Sequence, residues 1–139
     1  MKKAIVILTV LAVLVTGLAA GKYLSGAGDV RDVKRIEAEC TLYTRADLET
    51  AMDIVEKTFW KEYRGCKLLS IRYDEVETLA EIERQRERAG ELKLLILVSD
   101  YQIGERSEMT WDRGKTYHDW KWILRNDGDG WKLVNWGYA

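Results

Sequence analysis

Proline is absent from this 139-residue chain, histidine and phenylalanine occur once each, and cysteine occurs twice. Each shortage removes a class of function. Two cysteines cannot build a disulfide framework, a cysteine-rich zinc site or an iron–sulfur centre. The single histidine, His118, excludes all-histidine metal sites. Charge of either sign is not in excess: 22 Lys and Arg stand against 23 Asp and Glu, a formal net charge of −1, which argues against a dedicated nucleic-acid binder. No nucleophile elbow, P-loop, dinucleotide fingerprint or HExxH is present, and neither a cofactor nor a metal is expected. What remains is 47% apolar and 32% charged residues, enough to bury one small core.

The longest hydrophobic run stands at the start. Lys2 and Lys3 precede seventeen uncharged residues, Ala4 to Ala20. That length lies near the lower limit for crossing a hydrocarbon core of roughly 30 Å and slightly above a signal-peptide core. The flanking lysines favour an inside N-terminus, which puts the remainder of the chain outside the cytoplasm, either anchored or, after cleavage near Ser25-Gly26-Ala27, secreted. The first cysteine is Cys40, so a lipoprotein anchor at the end of the run is excluded. We expect two parts: residues 1–28 as signal peptide or membrane anchor plus tether, and residues 29–139 as one domain. Without Met1–Gly28 the other 111 residues carry 19 basic and 23 acidic groups, net −4, with no electrostatic pull toward anionic lipid. Contact with a membrane is therefore expected only through the N-terminal segment.

Within the exported part, Thr44 with Asp47 three residues on reads as a capping box. Leu48, Met52, Val55, Phe59 and Tyr63 then form one apolar stripe on a helix, stopped at Gly65. Cys66 to Tyr73 alternates as a strand, and Asp74 to Ala89 is helical, with Val76, Leu79, Ala80 and Ile82 as its expected buried side and Gly90 as its stop. The pattern then changes to β. Leu92 to Val98 is nearly continuous apolar, and Met109–Asp112, Lys115–Arg125 and Trp131–Tyr138 follow. Asp112-Arg113-Gly114 and Asn126–Gly130 have the composition of turns. Helices first and an antiparallel meander afterwards make an α+β layout, a curved antiparallel sheet packed on N-terminal helices.

Five of the six tryptophans fall between Trp111 and Trp136. Strict alternation in the strand after Lys115 puts His118, Trp120, Trp122 and Leu124 on one face and Tyr117 and Asp119 on the other. A concave sheet lined by indoles suits an apolar or sugar-like ligand, and Tyr73, Trp111, Trp120 and Trp122 are the candidate ligand-binding residues. A small domain also needs large side chains simply to fill its core. His118 is the one candidate general base, although a histidine bonded to backbone or solvent is the simpler reading. Asp127 and Asp129 lack the remaining ligands of a calcium loop and read as a hairpin turn. Cys40 and Cys66 admit either a disulfide or two separate thiols.

The segment from Tyr117 to Tyr138, YHDWKWILRNDGDGWKLVNWGY, resembles the end of the exported bacterial domains grouped as domain of unknown function 4829. Upstream pieces match in order: Cys40-Thr-Leu-Tyr43, Phe59 with Tyr63-Arg-Gly-Cys66, Tyr73-Asp74-Glu75, and Leu97-Val-Ser-Asp-Tyr101. The resemblance implies the nuclear transport factor 2-like (cystatin-like) cone, and it carries no agreed activity and no catalytic residues. Enzymes of that broad fold place acids and histidines inside the cone, and this sequence shows no such motif. The expectation is a non-catalytic exported module that binds a small molecule or an envelope protein. The alternatives are a small enzyme using His118 as base, or a structural homodimer.

Overall fold

A computed structural model describes residues 27–89, 93–105, 107 and 112–138. The Ala4–Ala20 run, Gly90, most of the Met109–Asp112 strand and the candidate Trp111 lie outside the described residues. Among the described residues no helix is long and apolar enough to cross a membrane.

The chain folds as α+β: β1 (Lys34–Ile36), α1 (Arg45–Glu62), β2 (Cys66–Tyr73), α2 (Glu75–Ala89), β3 (Lys93–Ile103), β4 (Thr116–Asn126) and β5 (Trp131–Gly137). One five-stranded sheet runs in chain order, β1-β2-β3-β4-β5. β1 lies parallel to β2, with α1 as the crossover, and every later pair is antiparallel.

Helix α1 starts where its sequence says it should. Thr44 is extended (φ −80°, ψ 162°), accepts from the Asp47 amide and is answered by the Asp47 carboxylate, closing the capping box. Ala51, Met52, Val55 and Phe59 are its buried stripe. At its far end Tyr63 caps the helix, and Gly65 takes φ +75° with Ser107 close against it. A side chain at Gly65 would strain the backbone and strike Ser107 together. The incoming chain is knit in at once, because Gly28 donates to Trp60 O (3.1 Å) and Asp29 bridges to Lys67 beside β2.

α1 covers one face of the sheet, where Leu68, Ile71, Leu95, Leu97, Tyr101 and Trp122 join its stripe in a single core. Leu94, Ile96 and Val98 alternate with these on β3 and point the other way. They are equally buried, at 0–2% exposure, and α2 packs against this strand. A strand covered on both faces explains the unbroken apolar run LLILV.

The buried side of α2 corrects the sequence reading. Val76 is 78% exposed and Leu79 50% exposed, and Ala80 is exposed as well. The residue turned to the sheet is Thr78, fully buried, whose hydroxyl donates to Asp74 O (2.6 Å) and accepts from the Ile96 amide (3.0 Å). β2 ends at Tyr73 while β3 continues: the Asp74 amide still donates to Ile96 O (3.1 Å), and Thr78 supplies the acceptor for the Ile96 amide. That local requirement outweighs the weak apolar pattern of the helix.

Alternation along β4 is also corrected. Tyr101 faces Tyr117 and Ser99 faces Trp120, which leaves His118 and Asp119 together opposite Asp100. This is a β-bulge, and Asp119 carries it at φ +60°, in the left-handed region where Asp is among the residues that tolerate it. Tyr117 therefore joins Trp120, Trp122 and Leu124 on the core face, and His118 turns away from them.

Candidate functional site

A cleft of about 420 Å³ opens between β1, the segment that follows it and the first half of α1. Its walls are Ile36, Cys40, Tyr43, Leu48, Met52 and Tyr73, and Arg35, Glu37, Arg45 and Glu49 stand at its charged side. Each wall residue is placed by a separate local device. The helical period of α1 puts Leu48 and Met52 on the same side. Tyr73 is the last residue of β2. Cys40 and Tyr43 belong to a short turn pinned to α2, because Thr41 donates from its amide (2.7 Å) and hydroxyl (3.0 Å) to Glu75 Oε1. Those donors, the amide first, hold the Glu75 carboxyl below the usual range. Tyr43 is fixed at both ends: its hydroxyl donates to Leu94 O, and its ring meets Trp131 edge-on at 5.0 Å.

The polar groups of the cleft fall into two kinds. Arg35 is committed, with a bidentate pair to Glu56 (3.3 and 2.8 Å) and a contact to Asp53 (2.5 Å), and the Glu56 pairing chiefly raises its pKa. Arg45 is loose: it is 81% exposed and reaches Glu37 and Glu49 only at 3.5 Å. Such surface pairs are worth about 0–1 kcal/mol and exchange readily for other partners. The Tyr73 hydroxyl is buried and makes no hydrogen bond. Its neighbours are Thr78, already bonded to Asp74 and Ile96, the Cys40 thiol and the Glu75 carboxyl. Burial pushes the Tyr73 pKa well up, which keeps the hydroxyl a neutral donor. A buried donor left unpaired costs about 1–3 kcal/mol.

Of the sequence candidates among the described residues, only Tyr73 lines this cleft. Trp122 is fully buried in the core beneath α1. Trp120 is half-buried and donates from Nε1 to Tyr63 Oη at 3.1 Å, and burial raises the Tyr63 pKa to about 12. Around these two indoles Tyr101 stacks on Tyr117 at 5.3 Å, and Tyr138 meets Trp120 edge-on at 4.9 Å.

His118 lies on the sheet face away from α1, 67% exposed, with Nδ1 3.1 Å from Asp100 Oδ2. Asp100 also accepts the Asp119 amide (3.1 Å), and Asp119 pairs with Arg72 (2.8 Å). The Asp100 carboxyl is lowered despite partial burial, by its bonds to His118 and to that amide. Sequence reasoning missed Asp100 as the partner of His118, since pairing across β3 and β4 depends on the bulge. It also missed the roles of Cys40, Tyr43, Leu48 and Met52 as cleft walls. Cys40 and Cys66 are both free thiols. Among the described residues no group of three or more His, Cys, Asp or Glu is arranged to hold a metal ion.

No family model, curated protein or solved structure matches this chain.

Proposed function

We propose that this chain is an exported, non-catalytic module of the cell envelope that binds a small molecule in the cleft between β1 and α1. One observation carries the reading. An open space of about 420 Å³ has apolar walls and loosely held charges of both signs at its edge. Those are the ingredients of a ligand site: apolar area for affinity and a few polar groups for orientation. The Lys2-Lys3 start and the Ala4–Ala20 run support export, and the resemblance at Tyr117–Tyr138 supports the cone-shaped, nuclear transport factor 2-like version of the α+β fold. The tryptophans then serve as the packing that stiffens the sheet beside the cleft.

Native mass spectrometry of the full chain purified from an exporting host tests this. A retained extra mass that disappears in Leu48→Trp, which fills the cleft, and survives in Trp120→Phe is the expected result. An extra mass lost in Trp120→Phe and kept in Leu48→Trp would move the site to the aromatic face.

A second reading, an enzyme using His118 as general base, is favoured by the Asp100 contact, which orients the imidazole as catalytic carboxylates do. The dyad stands on an exposed face and neither residue lines the cleft, so binding in the cleft should survive His118→Ala unchanged.

A further inference from the structure

The net charge of the domain averages over two unlike ends. The chain enters beside the C-terminal end of α1, where Gly28 donates to Trp60 O and Asp29 is bonded to Cys66 and Leu68 at the start of β2. Lys57, Lys61 and Arg64 stand exposed around that entry. The acids nearest to them are engaged elsewhere: Asp53 and Glu56 hold Arg35, Asp29 holds Arg31, and Asp32 faces Lys67. Gly104 donates to Gly65 O and Gly114 to Ile103 O, which brings the exposed Arg113 to the same end. Among the described residues there, Glu62 and Glu105 are the acids left without an ion pair. The α1 C-terminus favours a cation in its last turn, which accounts for Lys61 but not for Arg113 on a separate turn.

The opposite end has the reverse balance. The Asp47–Trp131 and Thr41–Glu75 bonds tie the start of α1 to β5 and α2, and Glu39, Glu49, Asp127 and Asp129 are exposed there beside Arg45, Lys93 and Arg125. Chain length then fixes which end meets a membrane. Seven residues, Gly21–Ala27, separate the apolar run from Gly28. Fully extended they reach about 25 Å, whereas a domain of this size is about 30–35 Å across. The tether is too short to pass round the domain, so it presents the basic end.

We propose that the end bearing Lys57, Lys61, Arg64 and Arg113 docks on anionic phospholipid headgroups of the membrane that holds Ala4–Ala20. This rests on the export reading in its anchored form. The cations meet lipid phosphates, the tether keeps them concentrated at headgroup level, and the acidic end is repelled. The cleft, built on the first half of α1 and the end of β2, then opens away from the bilayer.

The test reconstitutes the full chain in vesicles of phosphatidylcholine, alone or mixed with phosphatidylglycerol, and follows lysine acetylation by peptide mass spectrometry. Lys57 and Lys61 are the reporters, and Lys93 and Lys132, exposed at the far end, are the controls. In the mixed vesicles the reporters should react about five- to tenfold more slowly than in phosphatidylcholine, with the controls unchanged and the difference lost at high salt. Each cation contributes about fivefold to surface affinity, so Arg64→Gln with Arg113→Gln should cut the protection to below about twofold. Equal reporter rates in the two vesicles would overturn the inference. So would protection that persists at high salt or in the double variant, or protection of Lys93 and Lys132 instead. Failure of the anchor is separable: a chain that does not float with phosphatidylcholine vesicles is not anchored, and both readings fall. A chain that floats with both vesicles while its reporters stay unprotected is anchored and loses only the docking.

Discussion

Trp122 Nε1 donates a 2.8 Å hydrogen bond to Ser99 Oγ, and both residues are fully buried. The serine hydroxyl in turn points to Trp120 O at 3.4 Å. The pair lets the largest side chain of the core lie under α1 without leaving its one polar atom unmatched, and it explains why a serine interrupts the inner row Leu95, Leu97, Tyr101, Ile103. Ser99→Ala should therefore destabilise the domain by about 1–3 kcal/mol, the cost of an orphaned buried donor. Urea unfolding followed by tryptophan emission checks this, and a change below about 0.5 kcal/mol would show that the indole finds another partner.

Tyr73→Phe should act in the opposite direction. Removing a buried hydroxyl that makes no hydrogen bond should raise stability by about 1 kcal/mol. Denaturation midpoints of the two proteins read the effect, and a loss of stability would show that the hydroxyl is paired.

Asp119 sits at φ +60° in the bulge of β4. Asp119→Val should cost about 1–2 kcal/mol, because a β-branched side chain is poorly accommodated there. Asp119→Gly should be close to neutral, since relief of the backbone offsets loss of the exposed Arg72 pair. If both variants cost the same, the ion pair and not the backbone governs this position.

Acid should weaken the junction of α1 and β5. Trp131 Nε1 donates to Asp47 Oδ1 at 3.1 Å, and this bond, followed by the Thr44 amide, holds the Asp47 carboxyl below its ordinary range. A folded-state value below the unfolded one contributes stability that is fully present above the usual carboxylate range, near pH 4, and is lost as pH falls through the folded value. Asp47→Asn should flatten that acid limb. Trp131 emission against pH, in the wild type and the variant, measures the difference.

At the alkaline end the sign reverses. Burial raises Tyr63 to about 12, and the hydrogen bond to Asp112 raises Tyr117 to about 12. Stability from these groups is complete below about pH 10 and is lost as pH rises toward 12. Spectrophotometric titration should show these phenols ionising late, and Asp112→Asn should bring Tyr117 forward.

Much of the frame is legible in the residue order. The Thr44–Asp47 box, the α1 stripe, the Cys66–Tyr73 strand and the glycine turn before Trp131 are local codes, each complete within a few residues. The misread pieces depend on partners far along the chain. The Thr78 side of α2 is set by where β2 stops, and the faces of Tyr117 and His118 are set by one extra residue opposite Asp100. A period of two cannot reveal its own slip. The cleft is less legible still, because its walls come from three separated segments, 36–43, 48–52 and Tyr73, and only the last had drawn notice as a ligand residue.

The burial of β3 on both faces has a kinetic meaning. Its residues contact α1 on one side, α2 on the other, and β2 and β4 at its edges, so no partial opening of one neighbour frees it. The amides of Leu94–Val98 should exchange with solvent only when the whole domain unfolds, and their exchange rates then read the global free energy. The cleft, formed by the short β1 and the turn at Cys40–Tyr43, belongs to the periphery of that unit. The amides of β1 and of that turn should therefore exchange ahead of those of β3.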